Sequence, residues 1–413
     1  MYWRRIAELP GWLKAVMAGQ LVNSAGALAW IYLTLYLVED RGMSAGEAGF
    51  AAAAYGVGLL GGNLGGGWFG DRFGLRSAAV ASQLLWAVSC AAMPFVPTAG
   101  LGVLAAVAGL FGGASRPNLS ALVATALPDS RRREGIALSR TASNAGFTIG
   151  PPLGGLLAAF DFSLVFVLDA VSSLVLAVIV WRFVPAGRRT VARVSAGLWR
   201  ALLRDRSVVV LLATIVVVDT VYRQVFATMP LLLRDAGSPA VAYGVLIGLS
   251  SVVIVCCEAP LAVRLRGHRA FRVIAVGFAL VGSGLAVLGV LPALGVLQVL
   301  AGATLAIVVI TAGEMLYKPT ATAYVADAAP EGMVGRYSSL YAAASISGMF
   351  LAPALGGSAY EHAPGLLFPV AAGLALAAGV VLALVGERGR AALPAGRQDD
   401  GRARADHAVD AAQ

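Results

Sequence analysis

The sequence predicts an all-α membrane protein, with twelve transmembrane helices arranged as two pseudo-symmetric bundles of six. Three observations carry that expectation. First, 59% of the 413 residues are hydrophobic and only 13% are charged, with a mean hydropathy of +0.80. A soluble chain needs roughly 25% charged residues to cover its surface, so lipid must form part of the solvent. Second, apolar runs near the ~20 residues required to cross a hydrocarbon core recur along the chain. Third, a stretch of the first half returns in the second.

Taken in order, the start "MYWRRIAELPGWLKAVMAG" is basic, with Pro10 and Lys14 interrupting the approach to the first apolar run. That run is about 25 residues long, beyond the 7–15 of a signal-peptide core, and reads as a retained first span. Spans 1 to 12 fall near 12–38, 46–68, 77–97, 100–127, 135–159, 162–184, 207–233, 241–263, 271–291, 294–317, 335–359 and 365–385. Gly and Pro are frequent inside them, as lipid-embedded helices tolerate when they pack closely. In the central break, 185–206, Arg193, Arg200 and Arg204 alternate with Val194, Leu198, Trp199 and Leu202, which suits a short amphipathic helix on the inner leaflet. The tail, 386–413, has no apolar period and is expected to be disordered. The expected organisation is an N-terminal bundle (1–184), a cytoplasmic linker (185–206), a C-terminal bundle (207–385) and a cytoplasmic tail.

The net charge of +9 is mostly arginine, since Lys14 and Lys318 are the only lysines. These arginines fall in short breaks and form no solvated patch, so the lipid bilayer, not nucleic acid, is the expected partner. Alternate breaks carry Arg72 and Arg76; Arg131, Arg132 and Arg133; Arg182 through Arg206; Arg264, Arg266, Arg269 and Arg272; and Arg336. The opposite breaks offer only Arg41 and Arg234. By the positive-inside rule the arginine-rich side is cytoplasmic. An even number of spans puts both termini there, in a cell membrane.

The halves repeat at a displacement of 202 positions. "RPNLSALVATALPDSRRREGIALSRTASNAGFTIGPPLGG" then lies over "KPTATAYVADAAPEGMVGRYSSLYAAASISGMFLAPALGG" without a gap. Pro117 meets Pro319, Gly146 meets Gly348, Pro151 meets Pro353, and Gly154 and Gly155 meet Gly356 and Gly357. Paired repeats around a midplane site are a common transporter plan.

The stretch "GGNLGGGWFGDRFGLR" resembles a phosphate loop only superficially. It lies in an apolar helix with no lysine, where a phosphate loop needs a strand before it and G-x-x-x-x-G-K-[ST] or G-x-G-x-x-G spacing. Its Gly67-x-x-x-Asp71-Arg72-x-Gly74-x-Arg76 pattern resembles instead the loop motif of the major facilitator superfamily, with Leu75 where a basic residue is usual. The resemblance implies the major facilitator fold and a latch: Asp71 binds charges or a helix end of the other half, here the start of span 11 near Arg336, and closes the cytoplasmic side. Gly146-x-x-x-Gly150-Pro151-x-x-Gly154-Gly155 matches the span-5 pattern that marks drug–proton antiporters in that superfamily. A third family motif, an arginine in the outer half of span 4, is absent: Ala105 stands there, and Arg116 is expected to take part of its work. The resemblance covers the chain up to the tail.

Charges inside spans cost about 2.5–3.5 kcal/mol at a helix centre on insertion scales, which makes each a functional suspect. Asp219 and Arg223 in span 7 are one turn apart, as are Glu314 and Lys318 in span 10, where a static i, i+4 pair is the plain alternative. Arg116 occupies the place in span 4 equivalent to Lys318. Desolvation raises a carboxylate's pKa and a neighbouring cation lowers it, so Asp219 and Glu314 are candidates for proton coupling. Asn23, Arg116, Tyr222, Arg223, Gln224 and Lys318 are candidates to line a substrate cavity. Asp169 and Glu258 are expected to bond neighbouring helices, and Cys90, Cys256 and Cys257 to be small core residues.

The reading is a monomeric secondary transporter exporting a small amphipathic compound or drug in exchange for protons. The alternative is an importer or exporter of a sugar, amino acid or organic anion. An enzyme is not expected, because the spans hold no histidine, nucleophile–base constellation or metal-ligand cluster. No cofactor is expected, and no nucleotide-binding segment is present.

Overall fold

The computed structural model describes residues 10–127, 129–185, 205–265, 267–293, 295–330 and 333–385. They are helical almost throughout, with no strand among them. Of the linker expected over 185–206, residues 186–204 lie outside the described residues, as does the tail from 386.

Twelve helical passages follow one another. Span 1 is Gly11–Gly26 and Ala29–Glu39, span 2 is Ala45–Phe73, span 3 is Leu75–Ala92 and span 4 is Thr98–Ala126. Span 5 is Asp129–Phe160, span 6 is Phe162–Phe183, and span 7 is Arg206–Tyr222, Gln224–Ala227 and Met229–Asp235. Spans 8 to 12 are Ala240–Arg264, Ala270–Val290, Val296–Ala328, Val334–His362 and Pro364–Val385. Among the described residues, ten passages are long and apolar enough to cross a membrane by length and composition. The other two, spans 2 and 5, are diluted by glycine and by Ser, Thr, Pro and Arg. Large apolar side chains such as Leu64, Trp68, Phe160 and Leu384 face outward, as lipid contact requires.

Three departures from the sequence reading have physical causes. The helices overrun the apolar runs: span 2 continues to Phe73, and span 10 runs through Pro319 to Ala328. The Arg131–Arg133 stretch expected in a loop lies in the first turns of span 5. Spans 1 and 7, expected to be continuous, are broken. In span 1 the break at Ala27–Leu28 leaves the Ala29 N–H without a helical acceptor, and it donates to the Asp169 carboxylate at 3.0 Å. In span 7, Pro230 has no N–H for the Phe226 carbonyl, and the helix is interrupted at Thr228 and again at Arg223.

Asp169 is fully buried and ties three spans together. It also accepts from Trp86 Nε1 at 2.8 Å and from Ser173 Oγ at 3.5 Å. Spans 2 and 4 meet backbone to backbone: a Cβ on Gly62 would stand 1.9 Å from the Leu110 carbonyl oxygen, and one on Gly113 2.2 Å from that of Leu59. That contact accounts for Gly58, Gly62 and Gly66 of the run in span 2. Of the cysteines, Cys90 is buried as expected, but Cys256 and Cys257 are exposed, because they share the surface of span 8 with exposed Val255.

Asp169→Ala should lower the thermal midpoint of the detergent-solubilised protein. It orphans the Ala29 and Trp86 N–H groups, each at a cost of about 1–3 kcal/mol. Fluorescence-detected size-exclusion after heating checks this, and an unchanged midpoint would deny Asp169 its structural role.

Candidate functional site

At the arginine-rich end, the expected loop motif is the end of one helix, a single-residue turn and the start of the next. Gly74, at φ +92°, is that turn, a conformation that L side chains rarely adopt. Asn118 of span 4 donates to the Gly66 carbonyl at 2.9 Å, steadying the helix just before the motif. Arg76 donates to the Val184 carbonyl at 3.3 Å and sits 4.9 Å over the Trp181 ring, pinning the end of span 6. Arg72 lies over the rings of Trp68 and Phe73. Leu75 is buried with Leu13, Val16 and Leu122, which explains why an apolar residue replaces the usual basic one. The expected latch is not made: among the described residues no ion pair joins Asp71 to Arg336. A Cβ on Gly67 or Gly335 would meet nothing within 4 Å, so these two glycines face open space.

The other end is shut. A Cβ on Gly49 of span 2 would lie 2.2 Å from the Pro353 carbonyl oxygen of span 11, and one on Gly56 2.5 Å from the Met349 backbone. Glu361, at the end of span 11, caps the start of span 2. Its Oε2 accepts from Ser44 Oγ at 2.8 Å and from the Gly46 N–H at 2.7 Å, beside the Ser44–Glu47 capping box. The span-5 motif forms the second seam. Gly146 and Gly150 press on the backbone of span 1 at Leu21 and Ala25, Gly154 on Tyr32, and Gly155 on Val241 of span 8. Tyr32 donates to the Pro151 carbonyl at 2.6 Å, and a Cβ on Gly244 would lie 2.3 Å from that oxygen. Span 11 repeats the device, Gly348 lying on Asp219, Gly356 on Gln224 and Gly357 on Gly49.

Between the bundles, opening away from the shut end, lies a two-lobed cavity. The N-terminal lobe, about 510 Å³, is polar, lined by Gln20, Asn23, Gln83, Arg116, Ser139 and Asn144 among others. The C-terminal lobe, about 320 Å³, is lined by Tyr222, Arg223, Glu258, Glu314 and Lys318, with Phe226 and Ile247. Trp30, Asn144 and Phe147 line both lobes. Trp30 stands 5.1 Å from the Phe226 ring centroid, and 6.4 Å from and stacked on Phe147.

The two candidate acids part company. Glu314 faces the cavity, accepting from the Tyr222 hydroxyl at 2.7 Å and pairing with Lys318 Nζ at 2.7 Å. Lys318 in turn lies 4.1 Å over the Tyr222 ring. Asp219 does not reach the cavity. It is fully buried, accepts from Tyr317 at 2.5 Å and also from the Ser345 hydroxyl. The static Asp219–Arg223 pair is not formed: Asp219 bonds those two hydroxyls, and no ion pair joins it to Arg223. Gln224 is likewise withdrawn, donating to the Ala352 carbonyl at 3.1 Å and accepting from Thr228 at 3.0 Å. Asn23 lines its lobe but is held by Ser173 at 2.9 Å and Gln83 at 3.4 Å. Ala105 is buried, and Arg116 lies three turns further along span 4, too far to act at that place.

Sequence reasoning missed Asn144, Phe147 and Glu361 and set Glu258 aside. Ser250, Ile254 and Glu258 recur every fourth residue, a stripe that identifies the cavity face of span 8. No comparable pattern announces Glu361.

Two gated helical halves around a polar cavity define a membrane transporter. Residues 16–353 match the family model described as Major Facilitator Superfamily, and the chain belongs to that family. The MFS-type transporter YttB of Bacillus subtilis (strain 168) is 26% identical over 367 residues, which is 86% of this chain and 89% of that one. The multidrug resistance protein MdtH of Aeromonas hydrophila is 28% identical over 239 residues, 56% of this chain and 58% of its own. A Na(+), Li(+), K(+)/H(+) antiporter of Planococcus maritimus is 29% identical over 170 residues, 39% and 40% of the two chains. Among solved structures, a peptide transporter POT has a TM-score of 0.77 at 18% identity, covering 91% of this chain and 94% of that one. The nucleoside transporter NupG has a TM-score of 0.77 at 9% identity, covering 90% and 100%. Identities this low show the fold alone.

Glu361→Gln should loosen the shut end, because a charge-assisted hydrogen bond is roughly twice as strong as a neutral one. A thiol introduced at buried Ala52 in a cysteine-free background should then react several-fold faster from that side. An unchanged labelling rate would show that the glycine seams close that end without help from Glu361.

Proposed function

We propose that the protein exports a small amphipathic compound in exchange for protons by alternating access, working as a monomer in the cell membrane with both termini cytoplasmic. The Glu314–Lys318–Tyr222 cluster on the cavity wall carries this reading. Glu314 is an acid that a ligand or a proton can reach, and both of its bonds go to groups that a ligand can displace. Ionised, it holds Lys318 and Tyr222 together. A proton taken by it ends the ion pair and frees the ammonium, so proton and cargo compete through the same cluster. The buried Asp219 serves span 7 by holding it to spans 10 and 11.

The amphipathic lining supports such a cargo, with aromatic rings at the junction of the lobes and polar side chains beyond. The span-5 glycine and proline seam, the pattern shared with drug–proton antiporters, supports export, as do the names of two relatives, a multidrug resistance protein and a cation/proton antiporter. The halves rock about the cavity. In the conformation described, Glu361 and the glycine seams close the outer side. When the halves rock the other way, Asp71 meets the start of span 11 and closes the cytoplasmic side, where a carboxylate near a helix N-terminus gains about 0.3–1 kcal/mol.

Glu314→Gln should abolish pH-gradient-driven efflux in proteoliposomes while leaving insertion and cargo binding measurable. Gradient-driven transport at the wild-type rate in that variant would refute the coupling. Asp71→Asn should slow turnover about two- to fivefold, the kinetic equivalent of that helix-end interaction. Wild-type turnover would reduce the motif to a topology signal.

A further inference from the structure

Among the described residues, Arg223 is a cation without an ion-pair partner. It lines the C-terminal lobe and also a small chamber under the shut end, bordered by Trp30, Phe226 and Met349. Its Nε is buried without a hydrogen-bond partner, and its Nη1 faces only the Met349 sulfur, at 2.5 Å. Asp219, one turn away, has both oxygens occupied by Tyr317 and Ser345. Glu314 is occupied by Tyr222 and Lys318. Among the described residues, no carboxylate lies within 4.0 Å of the Arg223 guanidinium, and that includes Glu258, which shares its lobe.

The other cations of the cavity differ. Lys318 already has its acid, and Arg116 is exposed to the water of the N-terminal lobe. Burying a charge without a partner is costly, so a lone, half-buried guanidinium among aromatic rings is a site that its ligand completes. A guanidinium presents parallel N–H groups that match a planar carboxylate. One unpaired positive charge calls for one negative charge, which favours a carboxylate over a phosphate dianion. Trp30 and Phe226, both at the same junction, offer flat apolar surface on which a ring can lie.

We propose that Arg223 is the receptor for the carboxylate of an aromatic monocarboxylate cargo, whose ring packs against Trp30 and Phe226. The assignment rests on the reading that the cavity holds cargo, and it is independent of proton coupling.

The test uses the full chain, purified in detergent, and equilibrium dialysis of two probes of equal shape, 2-naphthoate and 2-naphthamide. The wild-type protein should bind the carboxylate about ten- to a hundredfold more tightly than the amide, the range expected for a charge-assisted hydrogen-bonded pair. Arg223→Met should bring the two probes to equal affinity while still binding the amide, which shows that the variant is folded. Arg223→Lys should restore part of the preference. Equal affinities in the wild-type protein overturn the assignment without any variant, as does a preference that survives in Arg223→Met. Proteoliposomes separate this from the export reading. An Arg223-dependent preference without pH-gradient-driven efflux of 2-naphthoate upholds the receptor and refutes proton coupling. Proton-coupled efflux of other compounds with equal binding of the two probes does the reverse.

Discussion

The structure depends on the close approach of helix backbones across glycine. Where spans 5 and 11 meet spans 1, 8, 7 and 2, any side chain larger than hydrogen would collide with a carbonyl or an aromatic ring of the neighbour. In lipid there is no hydrophobic force to press helices together, so van der Waals contact between close backbones has to supply the attraction. The contacts of span 5 with span 8 and of span 11 with span 2 join the halves at one end, while those with spans 1 and 7 tighten each half. At the arginine-rich end the glycines of the loop motif face open space. The molecule therefore holds a cavity that one end seals, and its shape follows from the placement of small residues.

The broken helices answer a second constraint. Interrupting spans 1 and 7 exposes backbone groups that lipid cannot satisfy, and polar side chains gather at each break. Asp169 supplies the acceptor for span 1, and the Gln224 and Thr228 side chains satisfy each other within span 7 while Gln224 reaches span 11. Polar residues that read as ligand contacts in the sequence are thus partly spent on holding the scaffold. Those left with spare bonding capacity, Arg116, Arg223 and the Glu314–Lys318 pair, mark the working surface. The same separation distinguishes the acids: Asp219 is held by the hydroxyls of Tyr317 and Ser345 within the packed helices, and Glu314 by Tyr222 and Lys318 on the cavity wall.

Much of this was legible in the sequence. Composition required lipid, and the gapless repeat with its matched Gly and Pro residues required two like halves. The span-5 spacing put Gly146, Gly150, Gly154 and Gly155 on one helical stripe. Loop boundaries were less legible, because a helix can carry Arg72 or Arg131 beyond the apolar run without losing its hydrogen bonds. Glu258 was set aside because periodicity within one span does not reveal which neighbour its face meets. Glu361 was unreadable, since its partners Ser44 and Gly46 lie more than 300 positions away.

By itself, the sequence determined the solvent, the number of passages, their pairing by repeat and the helix faces that had to be small. These are properties of hydropathy and spacing, which act along the chain. Only the tertiary structure decided which charge pairs with which: that Glu314 takes Lys318, that Asp219 refuses Arg223, and that Arg223 is left over. Adjacency at i, i+4 offers both pairings equally. The choice lies with the hydroxyls of Tyr317, Ser345 and Tyr222, which only the packing of spans 7, 10 and 11 brings within reach.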